Sequence, residues 1–360
     1  MKNVIILSLV TFLWVGCEPA PSNTEVINSG VSGQLPKITG PAGRVLISVQ
    51  DNLWEGTLDS IFYKAFSKPA PGPFISAEPI FDYFQQDPSE INQLGKKNRN
   101  FLSIILEPTA NFEETEVVIK KNHLADGQIY MVVKDNDKDR LIQFFQEQLP
   151  TYIAVFNDQE NERLIKKYTY TRHAAFDKIA REKFGIGIGV PSTANFEADL
   201  DSIIYALDKN SKEFADNPKT KAKGGIYWAK KGILIWDSPY TDSTDMLPQA
   251  LLNNRDSTLK YAVKGTIPNS YMATEYYKTH APKFTAVKVG EANAVKIEGL
   301  WKHAGNEAAS GGGPFVEVAL YHSTRNRIIH VSTYIYALNF EKRELLREVN
   351  AILSTVEVVD

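Results

Sequence analysis

The chain has 360 residues, 43% of them hydrophobic and 11% aromatic, with 40 basic and 43 acidic side chains and a formal net charge of −3. This composition suits a well-packed folded body, and the absence of a basic field argues against nucleic acid as a partner. A single cysteine, Cys17, excludes an internal disulfide framework and leaves no thiols for a Cys-based metal site.

The N-terminus reads Met1-Lys2-Asn3, then an apolar run from Val4 to Val15 broken only by Ser8 and Thr11, then Gly16-Cys17. A basic start, a short apolar run and a small residue before a cut are the parts of a secretory signal. The run is too short for a helix that must cross ~30 Å of hydrocarbon. A cysteine directly after the cut is what bacterial lipoprotein processing requires, so residues 1–16 are expected to be a signal peptide and Cys17 the lipidation site. Trp14 stands three residues before the cysteine, where the usual lipobox has leucine, and Leu13 lies one earlier. Two or more acyl chains hold a protein firmly to a bilayer where one holds marginally. Residues 17–43 are rich in proline, glycine and small polar residues and read as a lipidated cysteine plus a flexible tether.

The body is expected to be α+β, with mostly antiparallel sheets, packed helices and two linked α+β halves. An N-terminal domain over 44–156 opens with a strand at Val45–Val49. A helix follows, with Asn52 and Glu55 in a capping-box pattern and Leu53, Trp54, Leu58, Ile61, Phe62 and Phe66 on one face. Strands are predicted at Phe101–Leu106 and Ile129–Val133, a helix over Asp137–Gln148 ended by Pro150, and a strand at Tyr152–Phe156. A charged connecting helix is predicted over 157–183.

The C-terminal domain, 184–360, is richer in strands. Ile226–Trp228 and Ile233–Trp236 read as a hairpin around Lys230-Lys231-Gly232, and Met246–Val263 as a helix with Pro248 in its first turn. Further strands are expected at Tyr271–Tyr276, Phe284–Val289, Ala294–Leu300, Phe315–Tyr321 and Ile328–Tyr336. The last two are joined by the turn Ser323-Thr324-Arg325-Asn326. A closing helix, Phe340–Ser354, has the clearest amphipathic spacing in the chain.

Motifs for chemistry are sparse. The six histidines form no pair at metal-binding helical spacing, and no Gly-x-Ser-x-Gly elbow is present, so neither a metal nor a cofactor is expected. Gly185-Ile186-Gly187-Ile188-Gly189 departs from a dinucleotide fingerprint: its third glycine comes one residue early and Pro191 follows. It reads as a strand with close backbone packing. His330, between Ile329 and Val331, reads as a partly solvated sheet position. Glu275, Glu298 and Glu317 fall in predicted strands, and a glycosidase-type pair among them would need a set separation that sequence does not give. Lys219, Lys221 and Lys223 read as a solvated loop.

One region stands out. Glu298-Gly299-Leu300-Trp301-Lys302-His303 precedes Gly311-Gly312-Gly313-Pro314-Phe315. A flat ring beside bare backbone N–H groups suits a sugar or a small anion, making Trp301, His303, Gly312, Gly313 and Glu298 the candidate binding residues. The competing reading makes Trp301 core and the glycines a mobile loop.

Several short motifs resemble the domain-of-unknown-function 4837 lipoproteins of Bacteroidota. They are Trp54-Glu55-Gly56, Gly189-Val190-Pro191, Ile233–Tyr240 ending Ser-Pro-Tyr, Arg255-Asp256, Ser270–Thr274, Gly299-Leu300-Trp301, Gly312–Phe315 and Lys342-Arg343. Ala308–Gly311 stands where that pattern has a methionine. The resemblance implies export, lipidation and an α+β body, and carries no catalytic residue. The expected role is a non-catalytic binding or envelope-maintenance protein, held by membrane lipid through Cys17 on the periplasmic face of an outer membrane, with envelope proteins or glycan as partners. An exported hydrolase acting on glycan or peptide, or a structural subunit of an envelope assembly, are the alternatives.

Overall fold

The computed structural model describes residues 24–31, 33–200, 202–214 and 224–359. Cys17, the signal-like segment and Lys219, Lys221 and Lys223 lie outside the described residues. The chain forms two compact units, one comprising residues up to Gly40, Val45–Ala65 and Phe84–Asp158, the other Pro41–Arg44, Phe66–Tyr83 and the residues from Gln159 onward.

The first unit is built on a six-stranded mixed sheet. Its strands are β1 (Thr24–Asn28), β2 (Arg44–Ser48), β3 (Asp82–Gln86), β4 (Asn100–Leu106), β5 (Glu116–Lys121) and β6 (Ile129–Asp135), in the order β1-β5-β6-β4-β2-β3. The pairs β1–β5, β2–β4 and β4–β6 are parallel. Strand β1 falls within the expected tether: Thr24–Asn28 hydrogen-bonds along β5, and Thr24 Oγ1 lies 3.1 Å from the Tyr152 hydroxyl. A polar strand at a sheet edge leaves no apolar alternation to read.

The helix predicted after β2 is interrupted. The short α1 (Asp51–Leu53) and α2 (Asp59–Phe66) flank a wide turn, Trp54–Leu58, in which Gly56 adopts φ +93°. That left-handed angle, open to glycine without a Cβ clash, breaks the helix that the apolar spacing had implied. No side chain caps α1, so the Asn52 capping box does not form.

Pro150 does not end its helix either. α3 (Lys138–Tyr170) runs through it for 33 residues, and Tyr152, Ile153 and Phe156 of the expected strand continue the helical spacing of Phe145 and Leu149, all five at most 4% exposed. The boundary between units falls inside this helix, between Asp158 and Gln159. α4 (Ala174–Phe184) follows and ends at Gly185, whose φ of +67° is a left-handed helix stop.

The second unit is organised by an eight-stranded, antiparallel sheet. After the short β7 (Ile186–Gly187) come β8 (Asn195–Leu200), β9 (Ile203–Phe214), β10 (Gly225–Pro239), α5 (Pro248–Ala262), β11 (Tyr271–Glu275), β12 (Lys283–Val289), β13 (Ala292–Ala304), β14 (Gly312–His322), β15 (Arg327–Ala337), α6 (Arg343–Leu353) and β16 (Glu357–Val358). The strand order is β11-β13-β14-β15-β10-β9-β8, with β12 also on β13, while β7 pairs with β16. The expected α+β class, with mostly antiparallel sheets, describes the chain.

The hairpin predicted at Lys230-Lys231-Gly232 is instead the middle of β10, one continuous strand of 15 residues between β9 and β15. Gly232 is glycine because the Tyr334 ring occupies its side-chain space: an added Cβ would sit 1.9 Å from Tyr334 Cε1. Lys231 turns inward, at 2% exposure, to the carboxylates of Asp208 (2.8 Å) and Glu348. Burial pulls its ammonium down, but the two carboxylates outweigh it and hold it above its ordinary value.

One face of this sheet is covered by α4 and α6 and part of the other by α5. Ile204, Ile233, Ile235, Val316, Val318, Val331 and Ile335 pack beneath Phe176, Phe184, Leu346, Val349 and Ile352 of α4 and α6. Leu234, Trp236, Phe315, Ala319, Met272 and Trp301 form the other core with Leu251, Leu252 and Leu259 of α5. Each fully buried large apolar side chain contributes about 1.5–3 kcal/mol by transfer from water. The start of α6 is fixed by Glu78, whose carboxylate accepts the Lys342 and Arg343 backbone N–H groups at 2.7 Å each. An acid at this end of a helix satisfies orphan donors and complements the dipole.

Candidate functional site

Strand alternation sorts the residues singled out in the sequence. Trp301, His303 and Gly313 share the α5 side of the sheet with Tyr334 and Tyr336. Glu298, three residues from Trp301, lies opposite Val316 on the α4–α6 side, where Lys296 pairs with it at 3.0 Å. Gly312 and Gly313 are strand residues of β14, in register with Lys302 and Trp301. A Cβ on Gly313 would meet Ile335 O at 2.1 Å and Trp301 Nε1 at 3.3 Å. The glycine thus leaves room for Trp301 Nε1 to donate to Ile335 O at 3.1 Å. Trp301 is 3% exposed.

Around Trp301 the aromatic rings continue. Tyr334 meets it edge-on at 5.5 Å and His303 at 5.2 Å, while Tyr336 is tilted against it at 6.1 Å. The Tyr334 and Tyr205 hydroxyls are 2.6 Å apart, and Lys230 Nζ stands 5.7 Å from the Tyr336 ring. Burial pushes the Tyr205 hydroxyl up to about 12 and Tyr334 well above its ordinary value, so both stay protonated and available as donors. Burial likewise lowers His303, keeping its imidazole neutral. Tyr205, Tyr336 and His303 are half-buried, and Trp228 farther along β10 is 50% exposed. This end of the face is an aromatic platform edged by hydroxyls and a lysine.

The other end, under α5, holds a buried polar network that no local motif announced. Ser238 Oγ lies 3.0 Å from His330 Nε2, and His330 Nδ1 lies 3.0 Å from Glu317 Oε1. With Nδ1–H donating to the carboxylate, Nε2 is left to accept from the serine hydroxyl. Glu317 Oε2 faces Arg255 Nε at 3.4 Å. Arg255 stacks on Phe315 at 3.7 Å and donates to Thr274 Oγ1 at 2.9 Å, while Asp256 accepts from Thr274 and from the Tyr276 hydroxyl. Burial pulls the Arg255 guanidinium below its ordinary value, against Glu317 and Asp256.

Hydroxyl, imidazole and carboxylate here have the roles of a hydrolase triad. Their surroundings differ from those of an exposed catalytic triad. His330 and Glu317 are fully buried, and the imidazole lies flat on Trp236 at 4.9 Å and 4°, contrary to the partly solvated position expected for it. Ser238 sits in extended strand, paired with Ile328, and not on the sharp turn that exposes a nucleophile. The network ties β10, β14 and β15 to α5. Among the described residues, no group of three or more His, Cys, Asp or Glu is placed to hold a metal, and no helix is long and apolar enough to cross a membrane.

Comparison with known proteins places the chain. Residues 39–169 match a domain of unknown function, DUF8532, and residues 173–355 match another, DUF4837. Curated proteins yield no match. Among solved structures, the chain is similar to the Ran-binding protein Mog1p of Saccharomyces cerevisiae, at 13% identity over 49% of this chain and 91% of that one, with a TM-score of 0.26. It is also similar to LpqN of Mycobacterium tuberculosis, described as involved in cell envelope biogenesis, at 14% identity over 52% and 98% with a TM-score of 0.23. With its match spanning half of its length, the chain belongs to the DUF4837 family.

Proposed function

We propose that this protein is a lipid-anchored, non-catalytic binding protein of a Bacteroidota cell envelope, acylated at Cys17 and held on the periplasmic face of the outer membrane. The observation that carries the reading is the lone cysteine, placed directly after a basic start and a short apolar run. The absorption of Ser238, His330 and Glu317 into a buried network supports binding over hydrolysis. The ligand-facing surface is the aromatic platform of Tyr205, Tyr336 and His303, whose flat rings and hydroxyls suit an envelope glycan.

The proposed anchor is short. Six residues separate Cys17 from Thr24, so a fully extended link reaches about 25 Å at most. Mass spectrometry of the N-terminal peptide of protein purified from membranes tests the reading. Diacylglycerol on Cys17 is expected, with Cys17→Ser releasing the protein from the membrane fraction. An unmodified thiol, or an amino terminus elsewhere, overturns it. For the platform, retention of the soluble body on immobilised envelope glycan should fall with Tyr336→Ala; unchanged retention removes the platform from the proposal.

A further inference from the structure

The β9–β10 ribbon outruns its neighbours. Strand β15 pairs with β10 only from Ala229 to Pro239, and β8 pairs with β9 only up to Leu207, whereas β9 and β10 continue together through Ser211–Trp228 and Phe214–Gly225. A two-stranded ribbon has no core of its own. Even so, this one presents Ile226, 67% exposed, and Trp228, 50% exposed, two residues apart on one face. Across the ribbon from them stand Glu213 and Ser211, and the next pair on the same face is Lys230 with Lys209, the latter bridged to Glu197 at 3.2 Å. Lys212 is exposed on the opposite face, beside the half-buried Tyr227.

The charge of this stretch also departs from the rest. Its described residues carry Lys209, Lys212 and Lys230 against Glu213, in a chain whose net charge is −3. Indole and aliphatic side chains beside lysine ammonium groups match an interface of acyl chains and anionic headgroups. The tryptophan seats at headgroup level, the isoleucine enters the acyl boundary, and the lysines meet phosphate.

We propose that the β9–β10 ribbon is a second membrane contact, which docks Ile226 and Trp228 into an anionic phospholipid surface with Lys209, Lys212 and Lys230 at the headgroups. The proposal rests on the membrane address inferred above, but it concerns polypeptide and not acyl chain, so the two fail separately. A protein held only by its lipid would swing at the end of its link; a second contact fixes how the eight-stranded sheet is presented.

The test uses a chain beginning at Glu18, which keeps every described residue and lacks the lipidated cysteine. It is sedimented with phosphatidylcholine vesicles with and without phosphatidylglycerol. Binding to the anionic vesicles alone is expected, with about a tenfold loss between 0.1 and 0.5 M salt. Trp228→Ala and Ile226→Ser should each weaken binding about fivefold or more while circular dichroism and the melting temperature stay unchanged. Lys212→Glu should weaken it without changing the fold. Absence of binding to anionic vesicles, equal binding to neutral ones, or binding indifferent to Trp228→Ala and Ile226→Ser overturns the proposal. A concentration-dependent dimer abolished by Trp228→Ala, without vesicle binding, would assign the ribbon to a second copy of the chain and overturn it as well.

Discussion

Glu317→Ala is the sharpest probe of the buried network. Glu317, Arg255 and His330 are each 0% exposed, so removing the carboxylate leaves a buried guanidinium without its nearest counter-charge and a buried Nδ1 without an acceptor. Thr274 still takes one N–H of Arg255, while Asp256 stands 3.5 Å away and is already occupied by Thr274 and Tyr276. Breaking one side of a buried pair costs about 3–5 kcal/mol, most of it the unpaired charge, and orphaning a neutral buried donor about 1–3 kcal/mol. Because the two losses share one site they do not add, and the expected loss is about 4 kcal/mol.

The double variant Arg255→Met/Glu317→Met removes both buried charges and keeps apolar volume; the His330 donor loses its acceptor and Thr274 and Asp256 lose the Arg255 guanidinium, at about 2–3 kcal/mol together. The double variant should therefore be more stable than Glu317→Ala alone. Glu317→Gln, which keeps an oxygen for His330 Nδ1, should fall between them. Urea unfolding followed by circular dichroism reads all three, with equal m-values as the check on comparability. A Glu317→Ala loss under 1 kcal/mol, or a double variant as unstable as the single, refutes the reasoning.

Other substitutions probe other parts of the molecule. Gly313→Ala should cost about 3 kcal/mol by forcing a Cβ onto Ile335 O and displacing the Trp301 bond, whereas Gly290→Ala, at φ +57° in open space, should cost about 1–2 kcal/mol from backbone strain alone. Equal urea midpoints for the two would refute the packing account. Pro150→Ala should raise the melting temperature, adding about 1–3 kcal/mol by restoring a helical hydrogen bond at an exposed position of α3; an unchanged or lower value refutes it. Burial works to raise the Asp177 carboxyl, but Arg181, the Ile188 N–H and Arg172 outweigh it and hold it below its ordinary value. Its contribution is therefore complete above the ordinary carboxylate range near 4 and fades as pH falls through the lower folded-state value. Asp177→Asn should be less stable at pH 7 and show a shallower acid-side decline in melting temperature; parallel profiles would rule this out.

What could be read from sequence was what neighbouring residues decide. α5, α6 and the strands from β11 to β15 carry their periodicity within a dozen residues, and the structure puts them where the spacing does. β10 was misread because the reason for Gly232 lies 102 residues away in Tyr334, and the partners of Lys231 are Asp208 and Glu348. A Lys-Lys-Gly run looks like a turn until those partners are known. α3 was cut in two because Pro150 is a breaker on average, yet an exposed proline loses only one bond of a long, well-buried helix. At the site, Glu298 seemed a neighbour of Trp301 in sequence and is turned away from it by strand parity alone. His330 was misread because Ile329-His330-Val331-Ser332 alternates apolar and polar like a strand with one wet face, whereas α5 and its core cover the polar side of this strand as well. A histidine covered in this way is buried and must be hydrogen-bonded.

That two-sided covering bears on the proposed binding role. In an antiparallel sheet with one wet face, polar side chains of the central strands would be free for a ligand. Here α4 and α6 close one face and α5 half of the other, so polar groups of β10 and β15 are engaged within the fold: Lys231 by Asp208 of β9 and Glu348 of α6, His330 by Ser238 of β10 and Glu317 of β14. Buried contacts of this kind hold the strands and helices of the unit together. In the binding role proposed above, recognition falls to the part of the same face beyond α5, where Tyr205, Tyr336, Trp228 and Ile226 retain exposure and the ribbon runs past its neighbours. Rings and aliphatic groups gain from contact without needing to titrate, which is why that surface suits a binding role and the buried network does not.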